Sequence, residues 1–393
     1  MRMIEAQFTA FFIILLVAVF FATLFRKFNL PWAIALIIGG ILAGPNLLGW
    51  IEINDTTNFM GEIGAVFLMF MAGLETPLSS FRKTAQKVSF LAFVNGFIPL
   101  IIGFSIGLFF GFNLTVSILM GIIFISSSVA VVVPTLDKKK ILNTPLGHII
   151  IGSTIIQDVT SLVLISVFLQ INDPTTQIPL ILFYMIVVFL IYLLYKIIRW
   201  IKKWFITEGS FHQEFQFILF ILIGVVVLFS LLGLHHIIAG FFTGFVLSES
   251  LHNKKIKDSL HTTGYGIFIP FFFILVGANT DFSVFGELKN AFLLTFVLVT
   301  GLILSKFISG YVVSRYEKFN KYDSLLIAVT SIPQLATTLA VVYTAFNQNI
   351  ISAEVVTAFV ILSIITTIVS PLMTQLILKK KVEASSSQEL VKS

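Results

Sequence analysis

The sequence predicts an all-α polytopic membrane protein of about thirteen transmembrane helices, and three observations carry that prediction. The chain is 57% hydrophobic and only 11% charged over 393 residues, with a mean hydropathy of +1.02. A soluble domain is about a quarter charged. Apolar residues gather in windows of roughly 17–25, the length that crosses a bilayer as helix. Lys and Arg cluster between alternate windows, the asymmetry that orients membrane helices. Long alternating strand segments are absent, which argues against a β-barrel. The excess of 25 Lys and Arg over 19 Asp and Glu forms no continuous basic stripe, so nucleic acid is not an expected partner. With no cysteine there are no disulfides, thiolate metal sites or Cys nucleophiles.

In chain order the expected spans are 7–25, 31–50, 59–75, 88–111, 113–136, 147–170, 179–199, 214–233, 234–250, 262–280, 290–314, 323–346 and 353–378. The first has a long apolar run and no small-residue cleavage site after it, so it reads as a span and not a signal peptide. Charges, Pro or Gly bound the others. The shortest connections fall at Gly111-Phe112-Asn113 and Leu232-Gly233-Leu234-His235. With the N-terminus outside, the cytoplasmic segments collect Arg26-Lys27, Arg82-Lys83, Lys138-Lys139-Lys140, Lys202-Lys203, Lys254-Lys255 and Lys379-Lys380-Lys381. Only Arg2 and Lys289 fall on the outer side, and Lys306 falls within a span. A wrong span count would scramble this order, so the chain is expected in the cell (inner) membrane with its C-terminus in the cytoplasm. The tail 382–393 is short and polar and is expected to be disordered.

The two halves echo each other. The fifth span carries Ser126-Ser127-Ser128 and ends at Pro134-Thr135; the twelfth carries Thr330-Ser331-Ile332-Pro333-Gln334, then Thr337-Thr338. An odd offset of spans separates them, so they cross the membrane in opposite senses. Polar, Pro-interrupted segments in corresponding places point to an inverted repeat with two broken helices.

Two ionisable residues lie deep in apolar spans: Asp158 in GSTIIQDVTSLVLI and Lys306 in GLILSKFISGY. A charge at that depth costs about 3 kcal/mol on insertion scales, so it faces a cavity or a partner. A buried Asp158–Lys306 pair could serve only to lock helices; the surroundings favour function. On a helix Thr154 and Ser161 share a face with Asp158, and Gln157 adds an amide oxygen. One carboxylate among neutral oxygens suits a hard monovalent cation. It accepts either one ion or one proton, so competition for Asp158 is an exchange mechanism in outline. Burial and the charge of Lys306 bear on that carboxyl in opposite senses. Ser126, Ser127, Ser128 and Thr135 are further candidate oxygens, though small polar residues also serve helix packing. His235-His236 lack further metal ligands. No phosphate loop, catalytic triad or metalloprotease helix is present, so neither an enzyme nor a bound cofactor is expected.

Segments through nearly the whole chain resemble the monovalent cation:proton antiporter-2 family, the Kef- and NapA-type Na⁺/H⁺ or K⁺/H⁺ exchangers. They are LPWAIALIIGGILAGPNLLG, FLMFMAGLETPLSSFRK, SSSVAVVVPTLDKKK, GSTIIQDVTSLVLI, HHIIAGFFTGFVLS, FIPFFFILVGANTDF and LILSKFISGYVVSR. The resemblance implies the NhaA/NapA-like fold with two broken crossing helices, and usually a homodimer. It assigns Asp158 the ion and proton, and Lys306 the core charge. Residues 1–111 would hold scaffold spans one to three and the first core span; 112–175 core spans five and six. A linker span would occupy 176–212, scaffold spans eight to ten 213–280, and the last core spans 281–381. NapA-type members have two consecutive acids where this chain has Gln157-Asp158, the Kef-type pair. The chain departs from Kef in its twelfth span, SIPQLATTLA, and in having only residues 382–393 after Lys381, with no nucleotide-binding regulatory domain expected. The leading expectation is therefore electroneutral exchange of K⁺ or Na⁺ for H⁺. A cation channel with Asp158 as its selectivity site, or a proton-coupled solute carrier, would instead conduct without protons or need a larger polar cavity.

Overall fold

The computed structural model describes residues 2–26, 31–75, 85–137, 141–142, 144–172, 211–231, 236–248, 251, 253–281, 283 and 289–392, with isolated positions 185, 189, 192–193 and 196. Among the described residues the chain is helical and without strands. Nine of the described stretches are long and apolar enough to cross a membrane, and two shorter apolar helices accompany them. The chain is a multi-pass membrane protein. The seventh expected span, its linker and the turn at His235 lie almost wholly outside the described residues.

The chain divides into two compact units. The first comprises 1–78 and 166–279. It holds α1 (Arg2–Arg26), α2 (Trp32–Ala43), α3 (Asp55–Leu74), the end of α7 (Pro145–Asn172), α8 (Phe211–Leu231), α9 (His236–Ser248), α10 (Lys254–Thr263) and α11 (Ile269–Ala278). Its helices approach backbone to backbone. A Cβ on Gly244 of α9 would lie 2.0 Å from the Phe70 carbonyl oxygen of α3, and one on Gly73 of α3 would lie 2.1 Å from that of Phe241 on α9. Small residues at such crossings let membrane helices gain close van der Waals contact where the lipid gives no hydrophobic drive. α1 presents Phe8, Phe12 and Phe20 outward, as a lipid-facing helix does.

Two elements of this unit differ from expectation. The second span was expected over 31–50, but its helix stops at Ala43, where Gly44 turns to extended backbone ahead of Pro45. The basic stretch Lys254–Lys257, expected as loop, opens α10. Asn253 caps it at Lys255 N–H, and a π turn over 264–268 joins it to α11.

The second unit comprises 79–165 and 280–393. It holds α4 (Ala85–Phe109), α5 (Leu114–Ile125), α6 (Val129–Asp137), most of α7, α12 (Lys289–Tyr316), α13 (Lys321–Thr330), α14 (Ala336–Asn347) and α15 (Ala353–Lys392). The tight connection between α4 and α5 is where the sequence places it. Gly111 takes the left-handed φ of +79°, and Asn113 caps α5 by accepting from Val116 N–H. Asn320 caps α13 in the same way through Asp323 N–H. Val88, Leu91, Val132, Leu136, Ile149, Ile150, Val313 and Ile327 pack into an apolar cluster. The tail expected to be disordered continues α15 to Lys392.

Candidate functional site

The fifth and twelfth spans are each interrupted, and the two interruptions pair within the second unit. The first lies at Ser126–Ser128, between α5 and α6, and the second at Ser331–Leu335, between α13 and α14. Ser128 N–H donates to the Pro333 carbonyl at 2.8 Å. The Ser127 hydroxyl donates to the Ser331 carbonyl at 3.1 Å. The Gln334 amide donates to the Ser126 carbonyl at 2.5 Å. Unwound backbone at membrane depth must find partners inside the protein, and here each break supplies them to the other.

The first break presents two helix ends of opposite polarity. At the C-terminal end of α5 the carbonyls have lost their helical donors. Ile125 O accepts from Lys306 Nζ at 2.7 Å and Ile122 O from the Ser161 hydroxyl at 3.3 Å. The lysine charge thus sits at the negative end of a helix dipole. At the start of α6 the Ser127 N–H donates to Asp158 Oδ1 at 3.1 Å, and the Val129 N–H and the Thr337 hydroxyl face the same carboxylate. The carboxylate thus sits at the positive end of the next half-helix.

Lys306 is fully buried. Its ammonium donates to Gln157 Oε1 at 2.6 Å as well as to Ile125 O. No ion pair within 4.0 Å joins it to Asp158. Two neutral oxygens hold the lysine, and the carboxylate keeps lone pairs free of the amine. Asn95 on α4 braces α12 at the same turn, donating to Lys306 O at 2.8 Å and to the Ser309 hydroxyl at 2.9 Å. A narrow crevice adjoins these groups, lined by Asn95, Ser153, Thr154, Gln157, Thr330 and Ser331 with apolar neighbours.

Several expected ligands do something else. Gln157 holds the ammonium with the oxygen expected to hold an ion, because a buried cation takes the nearest strong acceptor. Thr154 donates to Ile150 O on its own helix and Ser161 to Ile122 O; neither bonds Asp158. Pro134 and Thr135 lie inside α6 and not at the break, and the Thr135 hydroxyl back-bonds Val131 O at 2.6 Å. The serine run, paired with the opposite break, decides where the helix opens. Ser126 bonds Gln334, Ser127 meets Asp158, and Pro333 accepts from Ser128. Thr337 lies in the first turn of α14, its hydroxyl facing Asp158. The Ser128 hydroxyl is buried without a partner, an open oxygen at the break. Sequence reasoning missed Asn95 and Thr366, whose hydroxyl accepts from Gln334 N–H. Asn95, a buried amide in an apolar span, carried the signal that could have found it.

Known proteins resemble the chain over nearly its whole length. The family described as sodium/hydrogen exchanger, transmembrane, matches residues 13–380. A probable Na⁺/H⁺ antiporter 3 of Methanocaldococcus jannaschii is 30% identical over 377 residues, covering 94% of this chain and 96% of that one. An Na⁺/H⁺ antiporter of Enterococcus hirae is 29% identical over 361 residues, covering 90% and 94%. Among solved structures, the sodium proton antiporter MjNhaP1 of Methanocaldococcus jannaschii superposes with a TM-score of 0.70 at 18% identity, over 96% of this chain and 99% of that one. That likeness speaks to the fold. With the match running from the first span to the last, this chain belongs to the transmembrane sodium/hydrogen exchanger family.

Proposed function

We propose that this protein is a secondary transporter that exchanges Na⁺ for H⁺ by alternating access, with Asp158 carrying either the ion or the proton. The observation that carries this reading is the separation of the two buried charges. Lys306 is held by Gln157 and the Ile125 carbonyl, while Asp158 meets only N–H and hydroxyl donors. A carboxylate not locked to the lysine is available to titrate. An ion there would take the carboxylate with hydroxyl oxygens such as those of Ser128 and Thr337, the hard ligands small cations prefer.

In this reading the second unit is the moving core and the first the scaffold, in a homodimer in the cell membrane with the N-terminus outside. Exchange is one for one in this reading, because one carboxyl, that of Asp158, takes either one ion or one proton. A second reading, K⁺ in place of Na⁺, rests on Gln157 standing before Asp158. Counterflow in proteoliposomes under a pH gradient separates the two. Na⁺ and Li⁺ should drive proton efflux, and K⁺ and Rb⁺ only weakly. Proton movement driven by K⁺ alone would replace Na⁺ by K⁺, and cation flux without proton movement would overturn exchange altogether.

A further inference from the structure

Gln334 is wholly buried between the two breaks. Its side-chain N–H donates to the Ser126 carbonyl at 2.5 Å. Its Oε1 accepts from the Ser126 hydroxyl at 2.8 Å and from the Thr338 hydroxyl. Its backbone is held as well, the N–H donating to Thr366 Oγ1 at 3.2 Å and the carbonyl accepting from the Thr367 hydroxyl at 3.4 Å. One side chain therefore satisfies both the orphan carbonyl and the hydroxyl of the residue that ends α5. The next residue along is Ser127, whose N–H meets Asp158.

We infer that Gln334 is a positioning residue for cation exchange: its neutral amide staples the first break to the second and so aims the Ser127 N–H at Asp158. This rests on the reading that Asp158 carries ion and proton. The chemistry of Ser126 dictates the kind of group required. It offers an acceptor, its carbonyl, and a donor, its hydroxyl, to the same planar head. An amide matches both. A protonated carboxyl also matches both, with one O–H and one carbonyl oxygen. A carboxylate has no donor and would set its lone pairs against the Ser126 carbonyl, leaving a buried acceptor unsatisfied.

That difference makes the staple testable by pH. On the surrounding helices the titratable groups within the spans are Asp158 on α7, Lys306 on α12 and Tyr343 on α14. α5 carries none. Those of α4, α6, α13 and α15, with His148 of α7 and Lys289 and Tyr311–Tyr316 of α12, lie toward helix ends. In proteoliposomes, Gln334→Glu should exchange Na⁺ at a rate near wild type at about pH 6. Relative to wild type it should fall about tenfold or more as the pH rises through the carboxyl's titration, and recover on re-acidification. Recovery excludes misfolding as the cause. Gln334→Met, with no donor to match Ser126, should be slow at every pH. Wild-type turnover in Q334M, or a Q334E profile parallel to wild type, would overturn the proposal.

A second measurement reads the staple without transport. Amide hydrogen exchange across 121–137 of the purified protein should quicken in Q334M, and in Q334E at the alkaline end alone. If Q334E fails to accumulate, Thr338→Val, which removes one donor to the amide, should quicken the same segment. Unchanged exchange in these variants overturns the staple. Quickened exchange alongside a wild-type protein that moves no cation for protons leaves the staple standing and removes the antiport reading.

Discussion

Replacing Gln157 by Glu tests what sets the charge carried per cycle. The Gln157 oxygen lies 2.6 Å from Lys306 Nζ, so a glutamate of the same length puts a second acid against the lysine and next to Asp158. On the proposed reading one acid of the wild type binds one Na⁺ or one proton. The loaded site has the same charge either way, and the equilibrium Na⁺ ratio should track the proton ratio alone. In Gln157→Glu a second carboxyl can bind a second proton in the proton-loaded form while both carboxylates share the ion in the other. The two loaded forms then differ by one charge. Moving that charge across the membrane is worth about 2.3 kcal/mol per 100 mV, roughly a fifty-fold shift in the equilibrium ion ratio if it is carried every cycle. The assay is Na⁺ distribution in proteoliposomes with the potential clamped by valinomycin and K⁺. The expected result is no dependence on potential for the wild type and a strong one for Q157E. A wild-type ratio that follows the potential would refute the single-acid account. A Q157E ratio that ignores it would show the new acid locked to Lys306 throughout, and would refute Gln157 as the residue that fixes the charge count.

Other expectations follow from the same geometry. Asp158→Asn keeps shape and removes titration, so Na⁺-dependent proton movement followed by a trapped pH dye should vanish while the protein still elutes as a folded species; exchange at the normal rate would sink the assignment of Asp158. With ion and proton competing for one carboxyl, as proposed, lowering the pH should raise the half-saturating Na⁺ concentration, approaching about tenfold per pH unit on the acid side of its titration; a concentration independent of pH would mean separate sites. Gly244→Val forces a side chain against the Phe70 carbonyl oxygen, where even a Cβ would stand 2.0 Å away. It should destabilise by at least the 1–3 kcal/mol or so of an overpacked core, read as a lower aggregation temperature in detergent. A thiol reagent that cannot cross membranes should label Lys255→Cys only from the cytoplasmic side and Asn347→Cys only from outside; labelling of both from one side would overturn the orientation.

Much of the fold was legible because membrane spans obey few rules. Long apolar windows and the alternation of Lys and Arg marked most helices. Asn113 and Gly111 marked the tightest connection, since a cap and a left-handed glycine leave local signatures. What failed was local too. Gly44-Pro45 ends α2 early, a stop the apolar composition of 31–50 concealed. The Lys254 cluster reads as loop by charge yet is helical, because α10 buries only Ile256 and Leu260 and needs no wider apolar face. At the candidate site, the two ionisable residues at membrane depth, Asp158 and Lys306, were plain, but their partners were not. A hydroxyl or amide in a span announces that it will bond something without saying what. Thr154, Ser161 and Gln157 all looked like ligands of one ion, and the structure gives them a carbonyl, a carbonyl and an ammonium. Those choices depend on contacts from helices distant in sequence, as Asn95 to Lys306 illustrates.

The opposed ends at the first break explain how one protein can keep two charges buried and still leave one of them available. A lysine and an aspartate at membrane depth would ordinarily find each other, and the pair would then be a lock. Here the break supplies each with another partner of the right sign, the carbonyl end of α5 for Lys306 and the N–H end of α6 for Asp158. Gln157 adds a second neutral oxygen to the lysine. On the proposed reading an arriving cation need not displace an ammonium from the carboxylate, only a proton. On this account the polar serine run does more than permit the helix to open: with the helix continuous, both charges would lose these partners and their simplest refuge would be one another.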